Sequence, residues 1–442
     1  MIKGKWEIMT LGLFQLRNVA MPLLILVVSI TTFAQQALPQ PGMKMSETDR
    51  ARFDRLRGEG FDSLYNLDYE GARKRFNEIV ADFPDHPAGP QFLAATLWAE
   101  ELNGSRRLQA SLYSSDAFFD AKEDKPDPKM VERFRELTWT ATRLAKARLK
   151  RDKSDIEALY FLGATEGLKA AFAAAVERRF MGALGDSSNS VDRHREVIRL
   201  DPNFHDAELT IGLYDYIVGG LPLPVKILAS IVGTRGSKRR GLETLVRLTK
   251  EGRWSRDDAK SVLIVLFKRE KRYGDALALA LELSNSYPRN YLFKLEAADA
   301  LVSQAVIERE ANHAVVATGA EHDAFKIFDS LLKDHSTRDT AARSIDLIHH
   351  RYGEALFTAG QYDNAAKEFL AAAAVAGAEP SLATMSRLYA ARSLDLTAKR
   401  SEAMAQYRAV LNRPDVYDSH ANAKRGLSEP FKLTAAQRKV SE

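Results

Sequence analysis

The run from Gly233 to Arg240, GTRGSKRR, holds the residue types that come nearest to a binding chemistry in this chain. Arg235, Lys238, Arg239 and Arg240 crowd beside the expected start of a helix, where free amides and guanidinium groups together favour an anion. The run is no phosphate loop, because it lacks the Gly-Lys-Ser/Thr ending and no strand precedes it. A solvated basic turn is the competing reading, since charge runs commonly mark exposed surface. Other pairs fall short of a reactive site. Glu310 and His313 have the i, i+3 spacing of di-metal bundles, which need a second such pair and further glutamates; the sequence has no second copy. His349 and His350 are neighbours and cannot share a helix face. There is no H-E-x-x-H and no G-x-S-x-G. With no cysteine, thiol catalysis and thiolate metal sites are excluded as well. The sequence therefore predicts no catalytic residue, no cofactor and no metal, and a chain that is not an enzyme.

Just before the basic run, the stretch from Ile217 to Val232 crowds Leu221, Leu223, Val225, Ile227, Leu228 and Ile231 between helix breakers. Gly219-Gly220, Pro222 and Pro224 forbid one continuous helix there. These apolar side chains either plug the interior or form an exposed lip rimmed by Lys226 and the four cations of the run. Plugging is favoured, because soluble chains rarely expose large apolar patches. Tyr214 and Tyr216 flank the stretch and could contact a groove, with core placement as the alternative. The candidate partner-binding residues are Tyr214, Tyr216, Lys226, Arg235, Lys238, Arg239 and Arg240.

Helices must position these residues, and the clearest helical pattern lies between Leu56 and Pro84. Gly60, Ala72, Phe76 and Pro84, with Tyr69 before the alanine, stand at spacings that let two antiparallel helices meet closely. The small residues open the seam, Phe76 fills it, and Pro84 stops the second helix. The pattern resembles one tetratricopeptide repeat, a 34-residue helix–turn–helix unit. Tyr273, Ala276, Ala280 and Pro288 repeat it, as do Gly353, Tyr362, Ala365 and Phe369. Weaker copies stand at Leu162-Gly163, Gly212 and Ala391, and Ala403 and Tyr407 follow Ala391 at an offset of 38 residues from the preceding unit. Ala94 and Ala298 each fall ten residues past a proline, where the next small residue belongs. A fainter likeness runs from Gly212-Leu213-Tyr214 through Leu221-Pro222 to Arg240–Leu245; it resembles the eukaryotic tetratricopeptide-repeat-39 and inclusion-body-clearance group, itself repeat-built and linked to membrane-bounded organelles and lipid.

The resemblance implies an all-α, right-handed α-solenoid of TPR-like helix pairs with an irregular central insertion. We expect a signal at 1–34, a linker at 35–47, a solenoid over 48–253 that includes the 217–241 insertion, a second over 254–427, and a polar tail at 428–442. Long helices are expected over Lys129–Arg151, over Asp155–Arg179 and up to about Val316. The DSSN run at Asp186–Asn189 reads as a turn or cap. One repeat cannot bury its own apolar faces, so the pairs must stack.

The amino terminus carries a basic leader ending at Arg17, the apolar core MPLLILVVSITTFA, and small residues suited to cleavage before Gln35. The apolar run is short for a spanning helix, although an uncleaved inner-membrane anchor is the alternative. With no cysteine, neither a disulfide nor a lipoprotein anchor is available. Lys3, Lys5 and Arg17 against Glu7 lie in the leader, which leaves 61 basic and 58 acidic residues. That balance is too weak to argue nucleic-acid binding. The reading is an exported, periplasmic or secreted, non-enzymatic scaffold of bacterial type that binds a protein or peptide on its concave face. Two others stay open: a membrane- or lipid-associated factor acting through 217–241, and an enzyme whose site shows no sequence motif.

Overall fold

Apolar spacing of three and four residues becomes helix along the described part of the chain. The computed structural model describes residues 45–108, 126–177, 180–220, 236–333 and 344–434, and among these there are seventeen α-helices and no strand. They fall into two compact units. The first comprises the described residues up to Leu102 together with 126–266; the second comprises 103–108 and the residues from Phe267 onward. Each is a solenoid-like stack of TPR-like helix pairs.

In the first unit, α1 (Glu47–Tyr65) is capped by the Ser46 hydroxyl and α2 (Tyr69–Asp82) by the Asp68 carboxylate. Their seam is built as the spacing requires. A Cβ on Gly60 would fall within the Phe76 ring, and that ring cannot retreat. Phe61 and Phe92 hold it at 4.9 and 5.1 Å between centroids. Phe92 belongs to α3 (Ala88–Gly104) and also meets Phe161 of α5 (Ile156–Ala175) at 5.8 Å. α4 (Pro128–Arg151) joins them through Phe134, stacked on Phe172 of α5 at 3.8 Å. Edge-to-face and stacked rings thus run through consecutive pairs, each contributing about 0.5–1.5 kcal/mol beyond its burial.

Two further pairs complete this unit. α5 packs on α6 (Phe180–Leu200), and α7 (Glu208–Gly220) packs on α8 (Lys238–Glu251), with α9 (Arg256–Arg269) following. Asp186–Asn189 does not form the expected turn but lies within α6. A polar run has cap chemistry in isolation, yet here the same helix carries Ser190 and His194 into the core, and packing overrides local preference. Leu102 and Trp98 of α3 are both buried, as the periodicity predicts.

His194 takes the place that Phe76 holds in the first pair. A Cβ on Gly163 would lie 2.7 Å from its ring, Tyr160 stacks on it at 5.2 Å, and its Nε2 donates to the Tyr160 carbonyl at 3.1 Å. Burial disfavours the imidazolium and holds its pKa down to about 4. A depressed histidine contributes stability that is present above its ordinary value of 6.5 and lost as pH falls through about 4. The linkage amounts to about 3 kcal/mol. Asp206, raised to about 6 by burial against three backbone N–H groups, acts in the opposite sense over an overlapping range. His194→Phe should therefore move acid unfolding to lower pH relative to wild type, read by circular dichroism at fixed temperature.

The second unit contains α10 (Tyr273–Ser286), α11 (Tyr291–Glu310), α12 (Ala314–Lys333), α13 (Ile345–Thr358), α14 (Tyr362–Ala374), α15 (Pro380–Leu396), α16 (Arg400–Leu411) and α17 (Ser419–Ser428). A Cβ on Gly353 would lie 2.7 Å from Phe369, which repeats the first seam. Tyr407 packs in the same way on Gly426 of α17, the closing helix. The helix expected to reach Val316 ends instead at Glu310. Asn312, at φ 63°, turns the chain, because an asparagine adopts this left-handed conformation more readily than most residues. The residues around Phe325 lie in one helix, α12. Three of the four extra residues in the 38-residue offset have a place: α15 begins eleven residues before Ala391, whereas α13 begins eight before Gly353. Glu379 caps the added residues by accepting from the amides of Ser381 and Leu382, with Pro380 in the first turn, where its missing N–H costs nothing.

Candidate functional site

The candidate residues of the basic run lie on the α7–α8 pair. Tyr214 is half-buried with the Arg195 guanidinium 5.6 Å from its ring. Tyr216 is 1% exposed and belongs to the core. The Lys238 ammonium stands 5.1 Å from the Tyr216 ring. Arg239 is exposed and pairs with Glu243 at 2.8 Å, one turn along its own helix. Arg240 grips the buried carboxylate of Asp215 at 2.5 and 3.0 Å, which raises its already high pKa. Lys226 and Arg235 lie outside the described residues, as does the apolar stretch from 221 to 232. Ser237 caps α8, and Gly219 is packed so tightly on the Lys238 amide that a Cβ could not fit between them. The backbone of α7 thus lies close against the Lys238 amide at that helix start.

A different constellation stands on the second unit. It follows from stacking, which places α11 beside α13 and α13 beside α15. Charges one turn apart on each first helix then meet charges on the next. Lys268, in the last turn of α9, donates to Glu296 at 2.8 Å and also pairs with Asp299, both on α11. Asp299 reaches Arg351 of α13 at 2.5 Å, and Arg351 pairs with Glu354 at 2.5 Å. His350 lies 3.6 Å from Glu354 and meets the Ser386 hydroxyl of α15 at 2.8 Å. Beyond them, the Arg392 guanidinium lies 5.2 Å from the rings of both Tyr389 and Phe431.

The electrostatics favour the charged forms of Lys268, Asp299, Arg351 and Glu354. Burial penalises the Lys268 ammonium, but Asp299 and Glu296 outweigh it and raise its pKa. Burial likewise opposes ionised Glu354; Arg351 and His350 overcome it and hold the carboxyl down to about 2. Asp299 is lowered by Lys268 and Arg351 against the same desolvation. The ladder is not sealed, since the Asp299 and Glu354 side chains are 23% and 33% exposed. It therefore presents the carboxylates of Asp299 and Glu354, with part of the Arg351 guanidinium between them, to solvent, while Lys268 and Glu296 stay buried behind them. Held in place by packing, such groups can meet amides, carboxylates and ammonium groups of a guest without paying to be ordered first.

Two other histidines pair with carboxylates. His349 pairs with Glu368 at 2.7 Å and His313 with Glu308 at 2.8 Å. Among the described residues no group of three or more histidine, aspartate or glutamate side chains could hold a metal.

No family model matches the chain, and no curated protein matches it. Solved structures do. The human IFIT1 dimer with m7Gppp-AAAA is 12% identical, over 93% of this chain and 89% of that one, at a TM-score of 0.43. A tetratricopeptide repeat protein from Parabacteroides merdae is 11% identical over 76% and 99%, at 0.29. Yeast Tom70 is 11% identical over 86% and 96%, at 0.34. The chain resembles tetratricopeptide-repeat proteins. That statement stands on its own seams, Gly60 on Phe76 and Gly353 on Phe369; likenesses this distant carry nothing about ligand or mechanism. Among the described residues, no helix is long and apolar enough to cross a membrane.

Proposed function

We propose that the chain is an exported, non-enzymatic scaffold that binds a segment of a protein or peptide along the first helices of its stacked pairs. The observation that supports this reading is the ladder from Lys268 to Glu354, an ion-pair chain across consecutive pairs that is partly exposed at Asp299, Arg351 and Glu354. Its sign favours a peptide over a nucleic acid. Glu296, Asp299 and Glu354 outnumber Lys268 and Arg351, and an excess of carboxylates repels a phosphate backbone. Export rests on the basic leader and the apolar core before Gln35, with an inner-membrane anchor as the alternative. Purification from the native cell envelope, followed by N-terminal sequencing and identification of co-purifying proteins, tests both halves. A chain beginning at Gln35 and a partner released by salt are expected, since exposed charge contacts weaken as screening rises. An intact Met1 in the cytosol, or a chain recovered without a partner at low salt, would contradict the reading.

A further inference from the structure

The outer face of α4 carries a second feature that the ladder does not explain. Trp139 is 65% exposed, whereas Trp98 and Trp254 are buried. Arg143 lies one turn further on, its guanidinium 5.6 Å from the Trp139 ring. Lys146 and Lys150 continue the stripe, since positions i, i+4, i+7 and i+11 share one side of a helix. The opposite side, Phe134, Leu137, Ala141 and Leu144, is packed in the core. The two halves of the outer face differ in charge. Before Trp139, Arg133 pairs with Glu136 at 2.6 Å and Arg135 with Glu177 at 3.1 Å, which leaves Lys129 as the one cation there with no ion pair among the described residues. After it, Arg143, Lys146, Lys150 and Arg151 make no ion pair among the described residues.

The helix dipole accounts for part of this. Cations in a last turn offset the partial negative charge there, which covers Lys150 and Arg151. The effect fades within one turn, so Arg143 and Lys146 fall outside it. An exposed tryptophan followed by unmatched cations is the chemistry of a surface that is apolar just beneath an anionic layer. Indole, with an apolar body and one N–H, settles at the level of lipid headgroups. The stripe rises about 16 Å from Trp139 to Lys150. The face is also convex, being the outside of a single helix. A flat sheet of headgroups meets such a stripe along its length.

We propose that this face of α4 docks on an anionic phospholipid surface, with Trp139 among the headgroups and Arg143, Lys146 and Lys150 against their phosphates. The absence of cysteine makes a direct test available. Ala147→Cys places one thiol on the exposed face, and Ser401→Cys places one on exposed α16; each is labelled with an environment-sensitive fluorophore in the full-length chain. Vesicles of equal parts phosphatidylcholine and phosphatidylglycerol should brighten and blue-shift the label at position 147 and leave that at 401 unchanged. Phosphatidylcholine alone should do neither. Because both labels sit on the same chain, docking by the amino-terminal apolar segment cannot imitate this difference. Each cation near an anionic bilayer strengthens partitioning about fivefold, so Arg143→Ser/Lys146→Ser/Lys150→Ser should weaken it about a hundredfold. Trp139→Ser should abolish the blue shift. These side chains are exposed, and circular dichroism should show all variants folded. A silent label at 147, or an equal response to neutral vesicles, overturns the proposal. So does a stronger response to polyglutamate or single-stranded RNA, which would assign the face to an acidic segment or a nucleic acid.

Discussion

Replacing Lys268 with methionine should destabilise the chain by about 3–5 kcal/mol, the loss seen when one partner of a buried ion pair is removed. The ammonium is 2% exposed and is shared by Glu296 and Asp299. Methionine fills a similar volume, so the effect comes from the stranded carboxylates and not from a cavity. Two measurements separate these causes. Lys268→Met/Glu296→Gln should recover much of the loss in a urea titration, because one stranded charge is gone. The single variant should also lose less, relative to wild type, as pH falls. Without the lysine the Asp299 carboxyl loses a charge that holds its pKa down, so acid neutralises it before it reaches the paired carboxyl of the wild type. A loss of about 1 kcal/mol or less, unchanged by the second substitution, would mean that the ladder is not electrostatically coupled.

The second large effect is one of opposite signs two residues apart. Gly58 and Gly60 both lie within α1. A Cβ on Gly58 meets nothing within 4 Å, whereas one on Gly60 collides with Phe76. Alanine is favoured over glycine inside a helix by up to about 1 kcal/mol. Gly58→Ala should therefore stabilise the chain. Gly60→Ala should destabilise it by about 1–3 kcal/mol, since Phe76 is held by Phe61 and Phe92 and the seam must open. Thermal unfolding of the two variants beside wild type decides the matter. Equal shifts in the same direction would contradict the packing that makes these pairs repeat-like.

Those seams are legible in the sequence because they rest on residue size at fixed spacing. Gly60 with Phe76, Gly353 with Phe369, and Ala391 with Tyr407 stand out as small and aromatic residues at set intervals, and all three pairs pack as the spacing requires. Helix ends are less legible. Asp186–Asn189 has cap chemistry but is overruled by the burial of Ser190 and His194 further along α6. The break at Asn312 interrupts an apolar rhythm that continues on either side of it. The ladder is not legible at all. Lys268, Glu296, Asp299, Arg351 and Glu354 look in sequence like charges on any solvated helix face. Only the packing of the last turn of α9, whose Lys268 belongs to the second unit, with α11 and α13 brings them within bonding distance, and spacing along one helix holds no record of the next. Conversely, Arg239 and Arg240 stand out as a charge run, while their partners Glu243 and Asp215 neutralise them locally.

The central claim is that a protein segment lies along the ladder, and photo-crosslinking in the native envelope addresses it most directly. A benzophenone amino acid at position 354, whose side chain is 33% exposed within the ladder, is compared with one at Lys326, 62% exposed on α12. The account predicts a discrete adduct of one partner from position 354, absent at 326 and diminished when Asp299→Asn is added. Adducts of equal yield from both positions, or none from 354 while 326 captures a partner, would contradict it.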